Sequence, residues 1–253
     1  MKTIILFLAI LAVSIAMAAI PLKAQDAKEI VRKADTKFNG EKSSYSEMSM
    51  AIVRPKYTRN LEFKNWTEGT KNALTLITAP AKEKGQSFLK SGNNMWSWNP
   101  TIQRLGNLPP AMMSQGWMGY DYSNDDILKE SSLVSDYNHQ LLRTEKINNY
   151  DCFVIELLPL DNANVVWGKI ILWISKDDYL NLKSEYYDED LVLVKTNLAS
   201  NIKTFDNRTI PSVIEIIPAD EPGNKTVITI IDMNFNVNVE ANFFSQQNMQ
   251  KIR

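Results

Sequence analysis

Hydrophobic spacing divides the chain into three regimes, beginning with an apolar, uncharged run from Ile4 to Leu22. From Asp26 to Phe38, the residues Ala27, Ile30, Val31, Ala34 and Phe38 recur at helical spacing among Lys, Glu and Arg. This predicts one amphipathic helix, stopped at Asn39-Gly40. After it the period is two. Met48, Met50 and Ile52 share one face of a strand over residues 46–53; Leu61 and Phe63 alternate with charged residues in the next, with Trp66 on its other face. Residues 73–78 form a third strand, closed by Ala79-Pro80 and the charged turn Lys82-Glu83-Lys84-Gly85. Residues 87–91 and 95–98 make a hairpin about Gly92-Asn93-Asn94, with Trp96 and Trp98 on one face.

Strand signals resume at Gln140 and run to Val237, with separate strands expected over 191–198 and 202–205. They are punctuated by turn residues such as Asn148-Asn149, Asp177-Asp178, Asp206-Asn207 and Pro222-Gly223-Asn224. The count is about eleven strands with two helical segments. That predicts a mainly β, α+β fold: a single curved antiparallel sheet with helices packed against one side. No linker, low-complexity run or fixed-period repeat divides it. A curved sheet has a concave face that helices must cover, and imperfect cover leaves an apolar pocket suited to hydrophobic guests.

One stretch fits neither period. Pro109-Pro110 breaks the chain, Ala111 to Met118 follows with Met112, Met113, Trp117 and Met118, and Asp121 to Asp126 is acidic and reads as a helix start, the helical signal continuing through Leu128 and Lys129. Flexible Met and broad Trp surfaces suit a cover that adapts to a guest. They equally suit an ordinary core-covering loop.

The first residues, with one lysine, an apolar run and small residues at Ala16, Ala18, Ala19 and Ala24, predict a secretory signal peptide over 1–24. Cleavage is expected after Ala24, or alternatively after Ala18; an uncleaved anchor is the rival reading. Removing Lys2 and Lys23 from 28 basic residues leaves 26 against 29 acidic ones, a balance of −3. With no basic patch, nucleic acid is a poor partner. Cys152 is the one cysteine, so no internal disulfide forms and no cysteine beside the signal peptide is available for lipidation. The triplets at Asn65, Asn207 and Asn224 read as turn and strand residues.

Chemistry is sparse. His139 is the only histidine, which leaves no nucleophile–histidine pair to compose and, with one cysteine, no zinc cluster. Phosphate-binding loops are absent. Asp125-Asp126 and Asp188-Glu189-Asp190 are more readily solvated turns or helix starts than cation sites. No enzyme, no cofactor and no metal is expected.

The strand Trp96-Ser97-Trp98-Asn99-Pro100, the following Arg104, and the segment Trp117-Met118-Gly119-Tyr120-Asp121-Tyr122-Ser123-Asn124-Asp125-Asp126-Ile127 resemble the outer-membrane lipoprotein-sorting family, the LolA-like proteins. That family has a tryptophan-and-proline strand, then a Met-Gly-Ser-Asp-aromatic-Ser/Thr-x-x-Asp segment; here Tyr120 stands in place of the serine. Val154 to Pro159 and Ile171 to Ile174 look like its paired strands, and the resemblance covers Asp26 to Arg253. It implies an unclosed β-barrel capped by helices around a hydrophobic cavity. In the founding carriers that cavity takes the acyl chains of a lipoprotein released by an inner-membrane transporter and ferries them across the periplasm.

The expectation is therefore a periplasmic, monomeric lipid-carrier domain over 25–253, loaded by an inner-membrane lipid or lipoprotein exporter. A non-carrier envelope adaptor is the alternative. The expected lining is Met48, Met50, Ile52, Leu61, Phe63, Trp96 and Trp98 from strands and Met112, Met113, Trp117 and Met118 from a movable lid, though each also fits plain core.

Overall fold

The computed structural model describes residues 27–39, 42–92, 94–119, 121, 123–128, 132–240 and 242–253; the expected signal peptide and the motif residues Tyr120 and Tyr122 lie outside them. Helix α1 (Ala27–Asn39) follows the apolar stripe, burying Ala27, Ile30, Val31 and Ala34. Six strands come next: β1 (Ser43–Arg54), β2 (Tyr57–Glu68), β3 (Asn72–Ala79), β4 (Ser87–Ser91), β5 (Asn94–Asn99) and β6 (Arg104–Asn107). Two 3-10 turns (Pro110–Met112 and Trp117–Gly119) and the short helix α2 (Asn124–Leu128) lead to the second half. It comprises β7 (Tyr137–Ile147), β8 (Tyr150–Pro159), β9 (Lys169–Ser175), β10 (Asn181–Tyr187), β11 (Leu193–Phe205), β12 (Arg208–Pro218) and β13 (Lys225–Phe235), and ends at α3 (Gln246–Met249).

All thirteen strands belong to one curved antiparallel sheet in the order β6-β5-β4-β3-β2-β1-β13-β12-β11-β10-β9-β8-β7, which does not close. Two meanders are thus joined at the middle, where β1 pairs with β13 from Ser44↔Phe235 to Val53↔Lys225. The two ends, β6 and β7, are consecutive in sequence. The chain between them crosses the opening.

The sheet has thirteen strands rather than about eleven, and two places differ in kind from the expected strands. β6 (Arg-Leu-Gly-Asn) is mostly exposed and has a single large apolar residue, so it shows no alternation to read. The strands expected at 191–198 and 202–205 are one strand, because Asn201 takes a positive φ of 53° without ending the ladder and Ser212 Oγ donates to its carbonyl at 2.6 Å. The expected helical cap is also slighter: α1 has 13 residues, but α2 has 5 and α3 has 4. Among the described residues no helix is long and apolar enough to cross a membrane.

The inner face is recognised by what lies on it. α1 packs against β7, β9 and β12, strands that are well separated in the sheet, so the sheet wraps around the helix. The outer face of β3–β5 is covered by the C-terminal segment, where Phe243, Phe244, Met249 and Ile252 pack with Leu74 and Leu89, and Ser87 Oγ donates to Met249 O.

Gly168, just before β9, shows how tightly the connections are fitted. A Cβ there would lie 2.3 Å from the Asp188 carbonyl oxygen, a backbone atom that cannot rotate away. Gly168→Ala is expected to lower unfolding free energy by about 1–3 kcal/mol, the usual cost of overpacking, as measured by urea denaturation.

Candidate functional site

A cavity of about 360 Å³ lies on the inner face, between α1 and strands β9 to β12. Its helix wall is Val31, Ala34 and Phe38; its sheet wall includes Ile170, Leu172 and Ile174 of β9, Ala199 of β11 and Ile214 of β12. The strand period supplies this wall directly, since alternate residues of β9 face inward. Small side chains at Ala34 and Ala199 stand where larger ones would fill the gap. The volume falls in the range of small-molecule pockets, about 300–1,000 Å³.

One end of the cavity is polar. Asp125 and Asp126 of α2 line it together with Tyr137, Trp167 and Tyr186. Asp126 is held from three sides: Ser123 N and Oγ donate to Oδ2 at 2.9 and 2.7 Å, and Lys195 Nζ at 2.5 Å. Ser123 Oγ in turn accepts from Asp126 N at 3.1 Å, a reciprocal helix cap that sets the carboxylate's direction. The Lys195 ammonium lies 4.7 Å from the Trp167 ring centroid and 4.8 Å from that of Tyr186, in a side chain only 4% exposed. Burial raises the Tyr137 phenol far above its ordinary range, and the nearby Asp125 charge adds to it; burial and Asp126 do the same for Tyr186. Both stay neutral. The Tyr137 hydroxyl is buried and has no hydrogen-bond partner among the described residues.

Nine of the eleven expected lining residues gather elsewhere. Met50, Ile52, Leu61, Phe63, Met113 and Trp117 are buried in one cluster with Ile77, Phe88 and Ile228, and Met48, Met112 and Met118 pack against it. This cluster fills the inner face of β1–β4 beside the cavity, and none of the eleven lines the cavity itself. Trp96 and Trp98 face the other way. The cross-strand ladder Tyr45↔Trp66, Trp66↔Leu74, Leu74↔Leu89, Leu89↔Trp96 carries the outer face across five strands, so both tryptophans pack under the C-terminal segment.

The expected lid is firmly anchored. Trp117 is fully buried, edge-on to Phe63 at 5.6 Å and Phe88 at 5.2 Å between centroids. Asp121 bonds Arg54 at 2.8 Å and Thr226 Oγ1 at 2.7 Å, and Asn124 Nδ2 donates to Met112 O at 2.9 Å. Met118 adopts φ 53°, ψ 24°, a left-handed turn that lets the chain reverse directly after Trp117.

The residues that do line the cavity left fainter traces. Lys195 follows Leu191-Val192-Leu193-Val194, and strand parity puts it inward, a charge at a core position. The Asp125-Asp126 pair reads locally as a helix start, which it also is. Nothing local marked β9 over any other apolar strand. Cys152 is buried, with its thiol pKa raised by burial, and His139 Nε2 lies 2.7 Å from Leu133 O. Among the described residues no group of three or more His, Cys, Asp or Glu is placed to hold a metal ion.

Residues 69–251 match a family described as "-like: Uncharacterized protein". Among solved structures, a LolA superfamily protein from Nitrosomonas europaea superposes with a TM-score of 0.77 at 26% identity, covering 88% of this chain and 99% of that one. A domain from Vibrio parahaemolyticus, described as outer membrane lipoprotein-sorting, gives 0.77 at 24%, covering 88% and 98%. A DUF1329 family protein from Desulfovibrio piger gives 0.79 at 22%, again covering 88% and 98%. The comparison with curated proteins found no match.

Two substitutions separate the packed cluster from the charged end. Trp117→Ala should cost about 3–5 kcal/mol in chemical denaturation, as expected for an aromatic removed from a core. Lys195→Met removes the buried ammonium 2.5 Å from the largely buried Asp126 carboxylate, and a loss of similar size, about 3–5 kcal/mol, is expected in the same measurement.

Proposed function

The chain belongs to the outer-membrane lipoprotein-sorting (LolA-like) family, and on that premise we propose that it is an exported carrier that shelters the acyl chain of a lipid or lipoprotein between envelope membranes. The observation that supports this most is the cavity between α1 and β9–β12, with aliphatic walls and a polar end. Each methylene moved from water into such a cavity gains about 0.8 kcal/mol, so a single chain provides ample driving force without any covalent step. Residues 1–24 serve in this reading as a cleaved signal peptide that delivers a soluble, monomeric carrier to the periplasm, where an inner-membrane exporter loads it. The cluster built from Met48, Met50, Ile52, Leu61, Phe63, Met112, Met113, Trp117 and Met118 acts as the rigid side of the barrel. The cavity residues of α1 and β9–β12 make contact with the guest.

The adaptor alternative has one supporting observation: β7 ends the sheet, and its outer edge over Tyr137–Ile147 has no strand partner among the described residues. A single experiment separates the two readings. Ala199 lines the cavity, and Ala199→Trp fills it. The wild-type chain is expected to take up a fluorescent fatty-acyl probe and to retain co-purified lipid in native mass spectrometry. Ala199→Trp should lose at least about tenfold in uptake with an unchanged melting temperature. Equal uptake by the two proteins would rule out this cavity as the binding site, and an empty wild-type protein crosslinked to a partner through β7 would support the adaptor.

A further inference from the structure

The two ends of the sheet differ in what they show to solvent. Among the described residues, eleven large apolar side chains are exposed. Leu142, Leu198 and Ile231 lie mid-strand, and the remaining eight all lie at the end where β1 turns into β2 and β10 into β11. Turns at the opposite end are polar, among them Gly69-Thr70-Lys71, Asn148-Asn149 and Asp206-Asn207. Exposed apolar groups gathered at one end of a fold mark a contact surface.

Three neighbouring turns at this end combine those apolar tips with positive charge. They are residues 54–57 around the β1–β2 turn, 80–86 between β3 and β4, and 99–105 around the β5–β6 turn. Their apolar tips are Tyr57, 59% exposed, Ile102, 63%, and Leu105, 37%. Lys56, Lys82, Lys84 and Arg104 are exposed beside them. The one carboxylate in the three turns, Glu83, is buried and bound to Arg59 at 2.5 Å. That ion pair ties the second turn to β2. A Cβ on Gly85 would stand 3.2 Å from Pro100 Cγ, so the second turn also touches the third. The three turns therefore present their tips as one surface. Elsewhere at this end the turns are acidic, with Asp188-Glu189-Asp190 and Asp220-Glu221.

We propose that the turns β1–β2, β3–β4 and β5–β6 dock the protein on the surface of a bilayer containing anionic phospholipid. Tyr57, Ile102 and Leu105 enter the head-group region, and Lys56, Lys82, Lys84 and Arg104 meet the lipid phosphates. The mixture of residues favours a bilayer over a protein partner. Protein interfaces deplete lysine from their cores. A membrane surface takes aliphatic tips and lysines together, because the lysine stem lies along the apolar layer while its ammonium reaches the head groups. The acidic turns fix the orientation, since an anionic surface attracts the β1–β6 half of this end and repels the half around β10–β13. The inference goes beyond the carrier reading and does not depend on it: it concerns which part of the protein meets a membrane, whatever the cavity holds.

The test is vesicle co-sedimentation with the processed protein, without the apolar run Ile4 to Leu22, which would bind a bilayer by itself. Vesicles made from an even mixture of phosphatidylcholine and phosphatidylglycerol are expected to bind at least about tenfold more tightly than vesicles of phosphatidylcholine alone, and the margin should shrink as ionic strength is raised to about 0.5 M. Ile102→Ser should weaken binding to the mixed vesicles at least about fivefold, from the loss of one inserted aliphatic side chain. Lys82→Gln combined with Lys84→Gln should weaken it about tenfold and leave binding to phosphatidylcholine unchanged. Ile231→Ser, an equally exposed position in the middle of β13, should change neither. All these positions are exposed, so melting temperatures should match wild type. Equal binding to the two kinds of vesicle overturns the assignment, and so does a loss at Ile231→Ser as large as that at Ile102→Ser. If neither vesicle retains the protein, the assignment also fails, and a protein partner becomes the occupant of these turns. None of these results bears on the carrier reading, because acyl-probe uptake is measured without a bilayer.

Discussion

The inner face of the sheet is largely apolar from β4 through β1 and β13 round to β8, with Lys195 and Asn197 of β11 as polar exceptions, and its two ends, β6 and β7, do not pair with each other. Such a face must be covered from within, because an open apolar surface of that extent would drive association. Two stretches of chain are available. One is α1, whose 13 residues span about 20 Å. The other is the connection between β6 and β7, which must cross the opening in any case. Its aromatic and methionine side chains pack the β1–β4 half of the face solidly. Against β9–β12 the described cover is α1 and the polar end of that connection, and a cavity remains.

The two halves therefore divide the physical roles. A cavity forfeits dispersion contacts along its walls, so a hollow fold has to find its stability elsewhere. Here that is the cluster around Trp117, Phe63 and Phe88, together with the C-terminal segment that Trp66, Trp96 and Trp98 pack against on the outer face. The tryptophans are structural supports on both sides of the sheet. The aliphatic residues of β9 and the alanines of α1 and β11 leave the space between.

One segment couples the halves. Trp117 anchors it in the packed cluster, Asp121 ties it to β1 and β13, and a few residues later the capped start of α2 aims Asp126 at Lys195. A buried ion pair contributes little net stability by itself, since desolvation offsets its attraction. Its geometry matters more, because it fixes the charged end of the cavity to the same chain that plugs the opening.

Much of this was legible in the residues. Helical spacing located α1, alternation located most strands, and the hairpin at Gly92 was read to within a residue at its ends. The pairing of Trp96 with Trp98 on one face was also legible, as was the family resemblance carried by residues 96–127. Which face those tryptophans share with Met50 and Phe63 was not. Parity within a strand is a local property, whereas the relation between faces of distant strands passes through every intervening register and bulge, such as those at Glu62/Phe63 and Glu47/Met48. The cavity was illegible for a related reason. Ile170, Leu172 and Ile174 are ordinary core residues by composition, and only the distance between α1 and the curving sheet, set by the whole ladder of pairings, decides that they border a cavity and that Phe63 and Trp117 face each other.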